Sequence, residues 1–333
     1  MSLNLEETLV IGISATALFD LSQADSLFKN EFKNNPANAI AIYREYMLNN
    51  EDQLLKKGIG YPLIKALLSL NQYQKDANSP LVEVVIMSRN SPDTGIRVLN
   101  TIKEHQLDIT RSAFTAGEST VDYLEAFSVD LFLTTNQEDA QKVIDSRVCA
   151  SAVFSTPPSY QCDIPQGQVR IAFDGDAVLF DESSELLYKE QGLEAFQKNE
   201  ESSQDIPMSE GPFANFLKKL AKLQERLPMK VEFSPVRIAI VTARSSPSEM
   251  RVIKTLRHWG VYVDEAFFLG GLDKSQILKA FKAHIFFDDQ DVHIASSSLV
   301  VPSGKVLYPS NSPLHKYDTT HSSAKQTPTQ NEN

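Results

Sequence analysis

The sequence predicts an α/β protein of two similar units, each built on a parallel sheet, and three observations carry that expectation. Short apolar runs of strand length recur along the chain and end in polar residues. Stretches with the helical spacing of apolar residues lie between them. The runs of the amino-terminal half also lay onto those of the carboxy-terminal half at a constant spacing, as two copies of one unit would. A length of 333 residues suits two domains better than one, and 42% hydrophobic with 23% charged residues is the balance of a soluble globular chain.

In chain order, the first unit is expected over residues 1–150. It opens on the run VIGISATALFDL at 10–21, passes through helices near 37–56 and 62–74, and reaches a strand at Val84-Val85-Ile86-Met87-Ser88-Arg89-Asn90. Phe132-Leu133-Thr134-Thr135 is a further strand end. The second unit, expected over 165–309, starts with the strand Val169-Arg170-Ile171-Ala172-Phe173. A small helical cap insertion follows at about 183–228: a helix over 186–200, an exposed loop at 200–205, and a second helix. The stripe Phe213, Phe216, Leu217, Leu220 and Leu223 of that second helix has the spacing of a core-facing surface. Arg237-Ile238-Ala239-Ile240-Val241 and His284-Ile285-Phe286-Phe287 are the remaining strands. Trp259, before Gly260, reads as core packing and His293 as an ordinary structural or surface histidine. Beyond about Pro309 the chain turns polar with no apolar pattern, which predicts a disordered tail over 310–333.

The chemistry gathers at the ends of the second unit's strands, where ligands of open α/β sheets bind. Phe173-Asp174-Gly175-Asp176-Ala177-Val178 places two carboxylates two residues apart directly after a strand. Alone, such a pair says little, since acidic turns after strands are common. The next strand, however, ends in Thr242-Ala243-Arg244-Ser245, the last in Asp288-Asp289, and Lys274 opens the helix between them. Acids, a hydroxyl and a cation in that order suit phosphoryl transfer with a metal.

The order Asp-x-Asp-x-Val, strand-end Thr, Lys, Asp-Asp resembles that of the haloacid-dehalogenase-like phosphatases. The wording AFDGDAVLF at 172–180 is similar to the cytosolic type I 5′-nucleotidases within them, and so are VTARS at 241–245, TLRHWG at 255–260, DEAFFLGG at 264–271 and HIFFDDQ at 284–290. The likeness runs from about residue 8 to about 310. It implies two Rossmann-like units and a nucleoside 5′-monophosphate substrate, AMP and other ribo- and deoxyribonucleotides among them. It also assigns Thr242 and Lys274 to phosphate-binding positions. The stretch Ser14-Ala15-Thr16 departs from relatives, which often have Ser and Arg there.

Built from the residues, hydrolysis of a phosphate monoester needs a nucleophile, an acid for the leaving alkoxide, and positive charge on the phosphoryl oxygens. Asp174 is placed as the nucleophile, forming an aspartyl-phosphate. Asp176 is placed to protonate the leaving oxygen and then to activate water. Mg²⁺ is the expected metal, because it prefers hard oxygen ligands. Asp174, the Asp176 carbonyl and Asp288 would supply them, with Asp289 a further or alternate ligand. Thr242, with Ala243, would donate to a phosphoryl oxygen, and the Ser245 region is expected to begin a helix whose N-terminus favours anions. Arg244 is open between a substrate contact and a salt bridge to a carboxylate.

The first copy lacks these groups. Ser88 aligns with Thr242 at an offset of 154 (242 − 88), and Ser14 with Asp174 at 160 (174 − 14). Ser14 and Thr16 thus replace the acidic pair, Thr120 sits where Lys274 sits, and Thr134-Thr135 replace Asp288-Asp289. The amino-terminal half is expected to be catalytically dead. It is either a scaffold or a nucleotide-binding unit, with Ser14, Ser88, Arg89, Asn90 and Gly117 as its candidate contacts.

A net charge of −11 argues against a nucleic-acid polymer as partner. No apolar run reaches the length of a membrane span, and the acidic start does not read as a signal peptide. Two cysteines, Cys149 and Cys162, are too few for a disulfide framework, so a reduced cytoplasmic setting is expected. Whether the chain is a homo-oligomer is left open, as are two rival readings. One is a phosphatase or phosphotransferase acting on another small phosphomonoester; the other is a nucleotide sensor with vestigial catalysis.

Overall fold

A computed structural model describes residues 5–76, 78–154, 167–228 and 234–318. The first half supplies strands β1 (Leu9–Ile13), β2 (Val82–Ser88), β3 (Arg111–Phe114), β4 (Leu131–Thr134) and β5 (Ala150–Phe154). The second supplies β6 (Val169–Phe173), β7 (Val236–Thr242), β8 (Glu265–Phe268), β9 (Ile285–Asp288) and β10 (Ser303–Lys305). Helices α1 (Ser22–Asn34), α2 (Pro36–Asn49), α3 (Tyr61–Ser69), α4 (Ile96–Glu104) and α5 (Gln137–Ser146) belong to the first half. The second half carries α6 (Ser183–Ser202), α7 (Ala214–Arg226), α8 (Glu249–His258), α9 (Ser275–Phe281), α10 (Asp291–Ser297) and α11 (His315–Asp318).

The sequence called for a sheet in each half; the structure joins them. A single ten-stranded sheet runs in the order β8-β7-β6-β9-β10-β5-β4-β1-β2-β3. Each half is parallel throughout, and the two meet where β10 pairs with β5 antiparallel, Gly304 opposite Phe154 and Lys305 opposite Val153. The central strands read as unbroken apolar runs because helices cover both faces. β1 is buried at all five positions, and Phe173, Phe213, Phe216 and Phe287 pack as one aromatic cluster under β6 and β9. The edge strands β3 and β8 are only partly buried. Each edge carries a charge paired inward, Arg111 to Glu83 and Glu265 to Arg237, which discourages pairing with another chain.

The halves correspond in order and in register. Leu9 faces Val82 as Val169 faces Val236, and Ile11 faces Leu131 as Ile171 faces Ile285. Their strands nonetheless run in opposite senses across the β10–β5 seam, so the carboxyl ends of β1, β2 and β4 point to one edge of the sheet and those of β6, β7 and β9 to the other.

Three local expectations need correction. The helix expected over 186–200 runs Ser183–Ser202 with a break at Gly192, whose φ of +81° suits glycine. The loop expected from Glu200 therefore begins later, and Glu200 is fully buried. The polar tail expected from 310 is not a tail over its first residues. Ser310 donates to Asp145, Ser312 to Glu182, and Leu314 is buried. One apolar residue and two well-placed hydroxyls are enough to hold a segment whose average composition is polar. Residues 319–333 lie outside the described residues, as does Cys162. Among the described residues no helix is long and apolar enough to cross a membrane.

Candidate active site

The carboxyl end of β6 delivers Asp174, whose backbone N–H donates to the Phe287 carbonyl at 2.8 Å and so seats it between β6 and β9. The chain then turns sharply: Asp176 is extended and Ala177 takes a φ of +57°. A Cβ on Gly175 would stand 3.4 Å from Thr242 Oγ1, so the threonine hydroxyl at the end of β7 faces this turn. Lys274, the residue before α9, is buried with its Nζ 2.9 Å from Asp174 Oδ1 and 2.7 Å from Asp288 Oδ2. The bond to Asp288 has hydrogen-bond geometry; the contact to Asp174 is a close ion pair without it, which leaves Asp174 Oδ1 lacking a hydrogen-bond donor.

Burying three carboxylates and one ammonium together sets their charges. Burial pushes the Asp174 carboxyl up to about 6, with Lys274 opposing. Burial pushes Asp288 the same way, but Lys274 and the His293 contact prevail and hold it below the usual carboxylate range. For Asp289, burial and the neighbouring Asp288 and Asp174 charges act together and raise it well above that range. Burial alone would discharge Lys274; the flanking carboxylates reverse this and hold its pKa above the ordinary lysine value.

Asp176 belongs to a second cluster. Arg244 donates to both of its oxygens, at 2.8 and 2.6 Å, and its third nitrogen reaches Glu200 Oε2 at 2.5 Å. Arg251 completes the group on Glu200 Oε1 at 2.9 Å. Arg244 thus makes salt bridges, the second of its two sequence readings, and ties helix α6 to the Asp174–Asp176 turn. Thr242 Oγ1 accepts from the Arg244 N–H at 3.3 Å, which fixes the loop through Ala243. The helix expected at Ser245 starts four residues later, at Glu249. The intervening loop is closed by Ser248, whose N–H and hydroxyl both donate to the Ser245 carbonyl.

The donor set fits a divalent cation. Ligand atoms of Asp174, Asp288 and His293 lie within 4.8 Å of one another. Asp174 Oδ1 is met by the Lys274 charge alone, whereas Asp289 Oδ1 is buried without a hydrogen-bond partner, and an unsatisfied buried carboxylate oxygen is costly unless something positive meets it. His293, set aside on sequence, is brought to the site: its Nδ1 lies 3.1 Å from Asp288 Oδ2. With a carboxylate opposite, Nδ1 carries the proton and donates. The signal for it was positional, since a residue in the first turn of the helix after a strand faces that strand's end. Two further residues carried no sequence signal. Glu185 on α6 accepts from Gln290 at 3.3 Å, and Tyr308 donates to Asp289 Oδ2 at 2.6 Å.

The amino-terminal candidates stand at the opposite edge. Ser14 Oγ accepts from the Ala17 N–H and touches Thr16, which touches Thr135. Ser88 Oγ accepts from the Asn90 N–H, Asn90 accepts from Tyr43, and Arg89 is paired with Asp139. Gly117, with a φ of +100°, turns back so that its N–H reaches the Arg89 carbonyl. None of these reaches the Asp174 cluster.

A family model described as 5′-nucleotidase matches residues 1–313 of the chain. Cytosolic 5′-nucleotidase 1B of Homo sapiens is 35% identical over 296 residues, covering 87% of this chain and 47% of that protein. The chain therefore spans about half the length of this curated relative. No solved structure matches it.

Proposed function

We propose, from the premise that this chain belongs to the 5′-nucleotidase family, that it hydrolyses nucleoside 5′-monophosphates to nucleoside and phosphate with Mg²⁺ as cofactor. The observation that carries this reading is the buried Asp174, Lys274 and Asp288 cluster at the ends of β6 and β9, with the Thr242 hydroxyl facing it.

Asp174 attacks phosphorus, the bond to the ribose oxygen breaks, and an aspartyl-phosphate forms. Asp176 gives a proton to the leaving oxygen, then takes one from the water that cleaves the acyl-phosphate and restores Asp174. For this Asp176 must turn from Arg244, which holds both its oxygens; Arg244 acts as the parking place for that carboxylate. Lys274 and Thr242 hold phosphoryl oxygens, with the Ala243 backbone beside them. Asp174, the Asp176 carbonyl and Asp288 would hold Mg²⁺, which supplies charge neutralisation at the phosphoryl group. As an imidazole, His293 suits Mg²⁺ less well than oxygen does, and its role is to orient Asp288. The cytosolic relative supports a cytoplasmic setting.

The test is phosphate release from a panel of nucleoside monophosphates with Mg²⁺ or chelator, for wild type and Asp174→Asn. Metal-dependent release abolished in the variant is expected. Cleavage of other phosphomonoesters but no nucleotide would keep the chemistry and overturn the substrate.

A further inference from the structure

We infer that the amino-terminal half takes part in the reaction by positioning, through a strap that carries Tyr308 to Asp289. This rests on the reading of Asp289 as part of the metal edge of the site. After β10 the chain crosses the junction of the halves. The Tyr308 hydroxyl donates to Asp289 Oδ2 at 2.6 Å, with both residues buried. The other oxygen of Asp289 has no hydrogen-bond partner, so the phenol sets the rotation of the carboxylate and leaves Oδ1 turned to the site.

What holds Tyr308 in place is α5, a helix of the other half. Gln141 Nε2 donates to the Tyr308 carbonyl at 2.9 Å. Asp145 accepts from the Ser310 N–H at 2.7 Å and from its hydroxyl at 2.6 Å. Leu307, one residue before, packs with Ala140, Ile144 and Val153 of the first half. The strap is therefore gripped on both sides of Tyr308. The ring packs with Ala177 and Leu314, and one side of this cluster borders a cleft of about 640 Å³ between the halves, lined by Tyr308 and Ala177. The grip on its backbone adds to that packing in fixing the direction of the phenol. The chain of contacts runs α5, strap, Tyr308, Asp289, and gives the amino-terminal half a part in the site that needs no ligand of its own.

The experiment measures Mn²⁺ binding to the nucleotide-free protein by electron paramagnetic resonance, beside Mg²⁺ activation of phosphate release. Tyr308→Phe is expected to raise the metal dissociation constant about tenfold, as loss of a group orienting a metal-site carboxylate does. KM for nucleotide at saturating Mg²⁺ is expected to stay within about twofold, since Tyr308 touches the carboxylate and not the substrate. Asp145→Asn is expected to shift metal affinity less, in the same direction, and to add nothing in the Tyr308→Phe background. Gln141→Leu serves in its place if that variant misfolds. Wild-type metal affinity in Tyr308→Phe, or full additivity of the two substitutions, would overturn the inference. A wild type that binds metal but hydrolyses no nucleotide overturns only the substrate assigned above.

Discussion

At the end of β6 a carboxylate meets a lysine; at the corresponding end of β1, Ser14 does no more than cap the next turn. The same contrast repeats at every strand end. Asp288 and Asp289 at the end of β9 stand where the end of β4 has Thr134 and Thr135, and Thr134 only accepts from the Asn136 N–H. His293 stands where the first half has Asp139, which takes the one strand-end arginine, Arg89, out of play. One backbone plan is kept in both halves; groups that can carry unpaired charge are kept in one. A fold of this kind can hold two such different halves because register and core depend on the apolar runs, whereas the charged cluster depends on a few residues at one edge.

Variants can break or sharpen this comparison. The largest effect is expected from Asp174→Asn, which should lower phosphate release by about four orders of magnitude or more while leaving the fold intact by circular dichroism. Residual turnover within about tenfold of wild type would mean that the nucleophile lies elsewhere. Lys274→Met leaves two buried carboxylates without their cation and is expected to cost on the order of 3–5 kcal/mol in denaturant unfolding. Thr120→Val, at the matching place in the first half, should cost under about 1 kcal/mol; equal costs would erase the distinction between the halves.

A third comparison is with pH. His284 Nδ1 accepts from the Arg170 N–H, just as Asp130 Oδ2 accepts from the Val10 N–H at the matching position. Burial lowers His284 from 6.5 to about 4, with Arg170 acting the same way, and burial raises Asp130 against the pull of Lys219. The signs are opposite. A histidine kept neutral in the fold stabilises fully above pH 6.5, and that contribution is lost as pH falls towards 4, by on the order of 3 kcal/mol. A carboxyl with a raised pKa costs stability at high pH and recovers it as pH falls. Unfolding at pH 7 and pH 4.5 should therefore show a smaller acid loss for His284→Asn, which keeps the acceptor, than for wild type; parallel losses would remove the histidine from the account. On activity, the smallest effect is expected from Arg89→Ala. Its guanidinium is partly exposed, so about 1 kcal/mol of stability is lost with unchanged kinetics and nucleotide response; a change in either would revive a ligand site in the first half.

Much of the candidate site could be read from the sequence because Asp174, Thr242 and Asp288 each end an apolar run. The strand before Asp174 falls at Val169–Phe173 as predicted, and Lys274 does precede a helix. What could not be read depends on contacts distant in sequence. Arg244 and Glu200 lie 44 residues apart, Tyr308 and Gln141 167 apart, and nothing in local periodicity links them. β10 is Ser-Gly-Lys, too short and too polar to announce a strand, so its pairing with β5 and the merging of the sheets were invisible. His293 looked ordinary because a lone histidine gains meaning only when its strand end is in view.

The seam between β10 and β5 also has a consequence for synthesis. β10 begins 149 residues after β5 ends (303 − 154), so the first half emerges from the ribosome with one side of β5 unpaired. At roughly 5–20 residues per second that interval lasts on the order of 10 s, and an open strand edge is a template for a neighbouring nascent chain. Tyr308 follows β10 by only a few residues. Closing the exposed edge and seating Tyr308 on Asp289 are therefore nearly one event, and a chain caught before it has an open edge and lacks that contact.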